Sequence, residues 1–411
     1  MRPKFIFSIA LILVGSVFVF VNLGISAADK KKDELFRRVE LFSDTLAIIQ
    51  SEYVEDTQPK DLIYGALKGM LSSLDPHSQF LDPDTYNELR VDTEGKFGGL
   101  GIEITIKDGK ANDRIVKIDN ELTRDITLTE AVKKMRGKPG EAVGLTILRE
   151  SEKKILEFEI VRDIIKIKDI KEARVLEDGI GYIRLVEFRE NTPQDINATL
   201  QNLTKSGMNA LILDLRNNPG GLLEVAVKVA EKFIEKDKVI VSTKGRREQQ
   251  NMQFLSRLNR PILNLPMVIL INEGSASGSE IVAGCLQDYK RAIILGTKSF
   301  GKGSVQTVIP LGDGSALRLT TSKYFTPLGK AIHGNGVIPD IVVEEGKIQL
   351  IPQNELKQEE PEDVFKELEK KDKEDVEQKS DKPFDYKSDN QLMRAVDVLK
   401  AVRLYKGMLD S

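Results

Sequence analysis

The 411-residue chain has little cysteine and little histidine, and it has no tryptophan. A single cysteine, Cys285, excludes an intrachain disulfide, and its place on the apolar side of a predicted helix indicates a small core residue. The two histidines, His77 and His333, are far apart in sequence, so we expect no zinc site and no other cofactor. A net charge of −3 without a dominant basic stretch argues against nucleic acid as a partner.

The first 28 residues have the features of an export signal. Arg2 and Lys4 precede an apolar run over residues 5–21, and Ser-Ala-Ala at 26–28 offers a small-residue cleavage site. The apolar run is slightly shorter than the roughly 20 residues of a membrane-spanning helix. A cleaved signal peptide and an uncleaved N-terminal membrane anchor therefore both stay open. Both predict a chain body outside the cytoplasm, and the lack of disulfides favours the periplasm or cell envelope.

Hydrophobic periodicity divides the remaining chain into five regions. Residues 29–95 repeat apolar side chains at helical steps, and residues 96–165 are rich in predicted strands. Residues 166–345 alternate strands and helices, which is typical of βαβ units around a central sheet and predicts an α/β, or mixed α+β, fold. Residues 346–386 have the charge density of a solvated linker. Residues 387–411 predict a helix whose apolar face needs a cover, from the N-terminal helices or from a second protomer.

One stretch, residues 267–281, joins an apolar run to an amphipathic helix through a turn of small residues. The turn contains Ser275, Ser277 and Ser279, and a serine between a buried strand and a helix is a common position for a nucleophile. The spacing is not that of the nucleophile elbow, because the residue midway between Gly274 and Gly278 is Ala276 and not a serine. When this stretch is considered alone, a helix cap with no catalytic role explains it equally well.

A serine nucleophile needs a base, and the histidines are poorly placed to supply one. His77 and His333 lie in turn-like segments without an acidic partner in a triad pattern, and His77 is expected to fasten its turn. A lysine can replace histidine if its pKa falls from about 10.4 toward about 7–8, which burial achieves. Lys302, in Phe-Gly-Lys-Gly after a predicted buried strand, fits this role, and Lys298 in the same loop is its rival.

Other residues near these two could complete a catalytic site. Backbone N–H groups of Gly278, at the helix start, and of Gly220 and Gly221, in Asn-Asn-Pro-Gly-Gly, could form an oxyanion hole. Gln306 follows Lys302 by four residues, a spacing that places both side chains on one face of a strand. Gln306 could therefore orient the lysine.

A glycine-rich turn is predicted at residues 97–101, feeding a strand. The N–H groups of Gly98, Gly99, Leu100 and Gly101 could bind the carboxylate of a peptide C-terminus, with the neighbouring strand and helix holding the peptide by β-augmentation.

Four motifs, in this order, resemble those of the carboxy-terminal processing peptidases, the tail-specific serine proteases with a PDZ domain. They are Phe-Gly-Gly-Leu-Gly at 97–101, Leu-Asp-Leu-Arg-Asn-Asn-Pro-Gly-Gly at 213–221, Ser-Ala-Ser-Gly-Ser-Glu at 275–280 and Phe-Gly-Lys-Gly-x-x-Gln at 300–306.

This resemblance, which covers about residues 74–343, implies roles for individual residues. Ser277 matches the nucleophile, Lys302 the general base and Gln306 the residue that orients the lysine. Gly278 and the Gly220-Gly221 turn match the oxyanion hole, and Asp288 matches an acidic position that supports activity in some members. The resemblance also implies a PDZ domain that gates the site and a homodimer built by the terminal helices.

Two departures from the family pattern stand out. Gly278 occupies a position that is usually alanine. After Lys110 the chain lacks the strand and short helix that family members carry, which predicts a shortened PDZ-like domain.

The sequence therefore predicts an exported serine endopeptidase that cleaves proteins at or near their C-terminal tails through a Ser–Lys dyad. One alternative is a non-catalytic envelope scaffold that binds protein C-termini. A lipid or ester hydrolase is a third reading, but it would need a nucleophile elbow and a histidine with an acidic partner.

Overall fold

The structure, a computed structural model, describes residues 33–104, 113–149, 151–262, 265–346 and 386–410. The predicted signal or anchor at residues 1–28 lies outside these residues, as do residues 347–385 of the linker predicted over 346–386. In the part of the chain that is described, no helix is both long and apolar enough to cross a membrane. The chain separates into two compact units, which meet in sequence between Asp82 and Pro83.

The first unit is mainly helical, as predicted. It contains α1 (33–52), α2 (Pro59–Ser72) and β1 (Gln79–Leu81). The rings of Tyr64 and Phe80 pack together with their centroids 4.7 Å apart. The Asp75 carboxylate accepts hydrogen bonds from the backbone N–H groups of His77 and Ser78, each at 2.8 Å. These bonds stabilise the turn before β1 in which His77 lies.

The second unit begins with a helix and a region of short strands, here called the small β region (residues 96–166). The helix is α3 (Pro83–Glu94). The small β region contains β2 (Lys96–Gly99), β3 (Asp113–Ile118), β4 (Glu121–Leu122), α4 (Leu128–Met135), β5 (Ala142–Arg149), β6 (Lys154–Val161) and β7 (Asp163–Lys166). One sheet has the order β4-β3-β5-β6, and β2 pairs separately with β7. A capping box between Thr127 and Glu130 starts α4.

The glycine-rich segment at 97–101 differs from its prediction. Phe97, Gly98 and Gly99 belong to strand β2, and residues 100–104 have no regular structure, so the expected turn feeding a strand is wrong. A β-carbon on Gly98 would lie 2.0 Å from the carbonyl oxygen of Gly137. The glycine is thus explained by a close approach of two backbones within paired structure, which a sequence pattern does not distinguish from a turn.

The rest of the second unit, here called the core, contains a central sheet with helices on both faces. Its elements are β8 (Ile170–Val175), β9 (Ile180–Leu185), α5 (Thr192–Lys205), β10 (Ala210–Asp214), α6 (Leu223–Ala230), β11 (Val239–Gly245), β12 (Met252–Leu255), β13 (Met267–Ile271), α7 (Gly278–Asp288), β14 (Ile293–Gly296), β15 (Ser304–Pro310), β16 (Ala316–Phe325), β17 (Ile341–Val342) and α8 (Asn390–Asp410).

The central sheet has the order β17-β14-β13-β10-β9-β8 and is parallel from β17 to β9. Every residue of β10 and β13 is buried, because successive side chains point to opposite faces and both faces are covered. Leu211 and Leu213 face the cluster that contains α5, α6 and α7. Ala210 and Ile212 face the cluster that contains α8. These features confirm the α/β prediction.

Helix α8 covers the second face of this central sheet. Leu392, Ala395, Val396 and Leu399 pack against the sheet, and each is at most 1% exposed. The expectation that the N-terminal helices or a second protomer must cover this apolar face is therefore wrong. The periodicity showed that the helix had an apolar side, but it did not show that the chain's own sheet had an open face to receive it.

A buried ionic network holds the start of α8 beneath the end of β10. Arg216 donates to the Asp214 carboxylate at 2.7 Å, and its guanidinium also binds Asp389 at 2.8 Å and Gln391 at 3.0 Å. The Tyr182 hydroxyl donates to Asp214 at 2.8 Å. Since Arg216 directly precedes the Asn-Asn-Pro-Gly-Gly turn, this network ties α8 to the base of that turn.

A second core sheet contains β15, β16, β11 and β12 as antiparallel neighbours. Its strands β15 and β16 follow the loop that contains Lys302. A bulge between Val305 and Gln306 shifts their register.

Candidate active site

The turn between β13 and α7 leaves one of its three serines accessible. Ser275 is fully buried, and its hydroxyl donates to the carbonyl oxygen of Leu215 at 2.8 Å. Ser279 is also fully buried, and its hydroxyl donates to the carbonyl oxygen of Asn218 at 2.9 Å. Ser277 is half-buried and lines a cavity of about 360 Å³. Two hydroxyls therefore fix the main chain of the turn, and the third lies at the cavity.

The backbone of Ser277 is strained. Its φ of 52° and ψ of −111° lie outside the regions that residues with side chains ordinarily adopt, at a cost of roughly 1–3 kcal/mol. Hydrogen bonds on both sides hold this conformation. The N–H of Ser277 donates to the Glu280 carboxylate at 2.9 Å, and the N–H of Ala276 donates to the carbonyl oxygen of Asn218 at 3.0 Å.

Glu280 connects the serine turn to the loop that contains Lys302. Its carboxylate is fully buried and accepts from the N–H groups of Gly301 at 2.6 Å and Lys302 at 2.9 Å, in addition to Ser277. The Ser299 hydroxyl donates to it at 2.6 Å. Burial raises the pKa of Glu280, while these hydrogen bonds oppose the rise. One side chain thus fixes the main chain of both predicted catalytic residues.

Lys302 lies in the loop between β14 and β15 and lines the same cavity as Ser277. It is half-buried, and burial lowers the pKa of its ammonium group below the ordinary value. The positive charge of Arg318 lowers this pKa further, and the negative charge of Glu280 opposes the fall. The site therefore makes the neutral amine, which is the form that can accept a proton, easier to reach than in a free lysine.

The other candidate bases lie elsewhere. Lys298 is exposed, and it is not among the residues that line the cavity. His333 is exposed and is likewise absent from that lining, and His77 belongs to the turn of the first unit.

The three glycines of the predicted oxyanion hole surround Ser277, but their N–H groups differ. The N–H of Gly220 donates to the Asn218 side chain at 2.9 Å. Within the described residues, the N–H groups of Gly221 and Gly278 have no hydrogen-bond partner. A β-carbon on Gly220 would lie 2.7 Å from both the Ser277 Cβ and the Gly278 nitrogen. Glycine at position 220 is thus required for the close approach of the two turns.

Gln306 lines the cavity, but its amide is bonded to neighbours other than Lys302. Its Nε2 donates to the Ser304 hydroxyl at 2.8 Å and to the Thr320 hydroxyl at 3.5 Å. The strand argument for pairing Gln306 with Lys302 is wrong, because Lys302 precedes β15 and the bulge before Gln306 breaks the alternation. Both side chains nevertheless reach one cavity.

Asp288 and the glycine-rich segment lie outside this cavity lining. The Asp288 carboxylate accepts from the N–H of Leu328 at 2.9 Å and binds the Lys330 ammonium at 2.8 Å, so it anchors a turn beyond the end of α7. In the small β region, Gly98 and Gly99 are paired with β7, and Leu100 packs against its apolar cluster.

Comparison with known proteins identifies the family. Residues 179–343 match the model of peptidase family S41, and residues 21–85 match that of the activating protease CtpB N-terminal domain. The chain is 41% identical over 367 residues to a carboxy-terminal-processing protease of Bartonella bacilliformis, covering 84% of this chain and 83% of that protein. The chain belongs to the carboxy-terminal processing proteases of peptidase family S41. This S41 protease is therefore a serine peptidase that acts on protein substrates.

Two further relatives of the S41 protease are more distant. It is 33% identical over 339 residues to the carboxy-terminal processing protease CtpB of Bacillus subtilis, covering 77% of this chain and 70% of that protein. A solved structure of a photosystem II D1 C-terminal processing protease matches with 27% identity and a TM-score of 0.45, over 74% of this chain and 92% of that one.

Three residues of the S41 protease site were not predicted from its sequence: Glu280, Arg318 and Tyr324. Glu280 follows Ser277 by three residues, which is the spacing of a capping box and could have identified it. Arg318 and Tyr324 lie on β16 and reach the cavity only through the pairing of β16 with β15. The Gly-Asp-Gly turn at residues 312–314, between two strand-like segments, is a hairpin signal that could have predicted that pairing.

Proposed function

We propose that the peptidase cleaves its substrates through a dyad of Ser277 and Lys302. The observation that supports this most is the shared support of the two residues, since both line one cavity and the buried Glu280 carboxylate binds the backbone N–H of each. A scaffold without catalysis is not favoured, because it would have no use for a strained serine beside a lysine of lowered pKa.

In the proposed reaction, neutral Lys302 accepts the hydroxyl proton of Ser277 as Oγ attacks the scissile carbonyl carbon. The N–H groups of Gly221 and Gly278 stabilise the oxyanion that forms. The Lys302 ammonium then protonates the departing amine, which leaves an acyl group on Ser277. Lys302 next deprotonates a water molecule, and the resulting attack on the ester releases the carboxylate product and restores the serine.

We also propose that the substrates are proteins cut at or near their C-terminal tails, outside the cytoplasm. The tail specificity follows the names of the related processing proteases, and the export follows the signal-like residues 1–28. The cavity has apolar walls at Phe188, Leu222 and Ile281, which suit apolar side chains near the scissile bond. Binding of the tail carboxylate at Gly98, Gly99, Leu100 and Gly101 stays a prediction, as does a role for Gln306 or Asp288.

Substitution of Ser277 and Lys302 tests the dyad. Ser277→Ala and Lys302→Ala are each expected to lower kcat for an unfolded protein substrate by at least about 10³-fold, because each removes a group that makes or breaks bonds. Lys298→Ala is the matched control, since Lys298 is an exposed lysine of the same loop, and it should retain wild-type activity. Cleavage by the Ser277→Ala variant at an undiminished rate would overturn the dyad, because another group would then be the nucleophile. No cleavage by the wild-type protein would favour the scaffold.

The pH dependence gives a second test. Because the pKa of Lys302 is depressed, activity should rise with pH as Lys302 loses its proton, with a midpoint below the ordinary value of about 10.4. Arg318→Gln removes the cation that depresses this pKa and should move the midpoint to higher pH. A kcat/KM profile measured on both proteins checks the shift, and a midpoint that is the same in both would contradict the role given to Arg318.

A further inference from the structure

Tyr324 lies beside both members of the proposed dyad. It is on strand β16, is 2% exposed and lines the same cavity as Ser277 and Lys302. Its backbone N–H donates to the carbonyl oxygen of Gly303 at 3.0 Å. Its backbone is therefore tied to the loop that contains Lys302.

The Tyr324 hydroxyl makes a hydrogen bond whose direction can be assigned. It donates to the main-chain oxygen of Lys302, since a carbonyl can only accept. The single proton of the phenol is therefore directed at the main chain of Lys302.

We propose that Tyr324 is a positioning residue for the dyad, holding the main chain of Lys302 at the cavity that Ser277 lines through its hydroxyl group. This proposal rests on the dyad proposed above. With Lys302 held in place, the proton passes from the Ser277 oxygen to the Lys302 nitrogen as Oγ bonds to the substrate carbon.

Tyr324 keeps its own proton throughout this sequence. Burial raises the pKa of its phenol well above the ordinary value, so it stays neutral and able to donate to Lys302 at any pH at which the enzyme works. It is therefore separate from the general base, whose pKa is shifted in the opposite direction.

The chain offers a matched control at Tyr289. The Tyr289 hydroxyl donates to the carbonyl oxygen of Val239 at 2.9 Å, and Tyr289 is not among the residues that line the cavity. Phenylalanine at either position removes one tyrosine-to-carbonyl hydrogen bond, and only the change at 324 removes one to Lys302.

The experiment compares the full-length wild-type protein with Tyr324→Phe, Tyr289→Phe and Ser277→Ala on one unfolded protein substrate. Tyr324→Phe should lower kcat by about 10- to 100-fold with KM changed less than about twofold, because displacement of a reacting group by about 1 Å has effects of this size. Tyr289→Phe should keep kcat within about twofold of wild type. Circular dichroism and thermal unfolding establish the folded fraction, to which each kcat is normalised.

The outcomes distinguish failure of the role proposed for Tyr324 from failure of the proposed dyad of Ser277 and Lys302. Undiminished activity in Ser277→Ala overturns the dyad itself. An inactive Ser277→Ala together with a Tyr324→Phe that matches Tyr289→Phe overturns only the role of Tyr324. A fall in kcat confined to Tyr324→Phe supports it.

4-Aminophenylalanine inserted at position 324 by stop-codon suppression keeps the test valid if Tyr324→Phe does not fold. Its amine keeps an N–H donor for the carbonyl oxygen of Lys302. We expect its kcat to stay within about threefold of wild type at unchanged KM, because the main chain of Lys302 stays in place. A fall in the kcat of this folded protein by about 10-fold or more would overturn the proposal.

Discussion

The core and the small β region differ in how completely their strand residues are buried. Strands β10 and β13 of the core are buried at every position, whereas β6 in the small β region exposes most of its residues. Helices cover both faces of the central sheet, but α4 supplies one short helix to the small region. The core can therefore hold backbone strain such as that at Ser277, because the surrounding packing and hydrogen bonds overdetermine it.

The cavity follows this division. None of the described residues that line it belongs to the small β region, which contains the segment predicted to bind the substrate tail. The proposed catalytic residues and the predicted tail-binding segment thus lie in different parts of the unit. Substitutions in the core should affect catalysis and stability together, while those in the small region should spare catalysis.

Among the substitutions that test this comparison of the two regions, the largest effect is expected from Glu280→Gln. In Glu280→Gln the amide NH₂ would face N–H groups that now donate to a carboxylate, so the main chains of Ser277 and Lys302 should separate. We expect kcat for an unfolded protein substrate to fall by about 100-fold or more. Glu273→Gln, at an exposed residue of the same turn, is the control and should behave as wild type. Equal activity in the two variants would refute the bridging role of Glu280.

A smaller effect is expected where α8 meets the central sheet. Leu399→Ala leaves a cavity under a residue that is 1% exposed and should lower the free energy of unfolding by about 2–5 kcal/mol. Leu404, on the same helix, is 68% exposed, so Leu404→Ala should change that free energy by less than about 0.5 kcal/mol. Urea denaturation measures both values. Similar losses in the two variants would mean that α8 does not pack as described.

The smallest effect is expected in the small β region. Thr127→Ala removes the hydroxyl that caps α4, and the cost should be about 0.5–2 kcal/mol, confined to that helix. Hydrogen exchange of the α4 amides should speed up, while kcat for an unfolded substrate should stay unchanged. A loss of kcat in this variant would show that the two regions are more tightly coupled than their burial indicates.

Much of the core could be predicted from local sequence. The apolar runs at β10 and β13 and the helical periodicity of α5 fix their own secondary structure. The turn of small residues around Ser277 is recognisable because such a turn needs small side chains wherever it occurs. Lys302 followed from chemistry, since the scarcity of histidine left a lysine as the candidate base.

Features that depend on distant contacts could not be predicted. The bulge before Gln306 arises within the pairing of β15 and β16, and the alternation of residues along one strand does not reveal it. The pairing of Gly98 with Ile164 joins segments far apart in sequence, so the glycines alone suggested a turn. What packs against the apolar face of α8 likewise depends on which face of the central sheet the rest of the chain leaves open.

The position of α8 after all the catalytic elements sets the order in which the enzyme can be completed. While the chain is being made, the face of the central sheet around Ala210 and Ile212 stays uncovered until residues 392–399 have emerged. Arg216, four residues before Gly220, also lacks Asp389 until then. Chains whose synthesis stops before α8 should therefore lack a finished active site, and we expect them not to cleave other proteins.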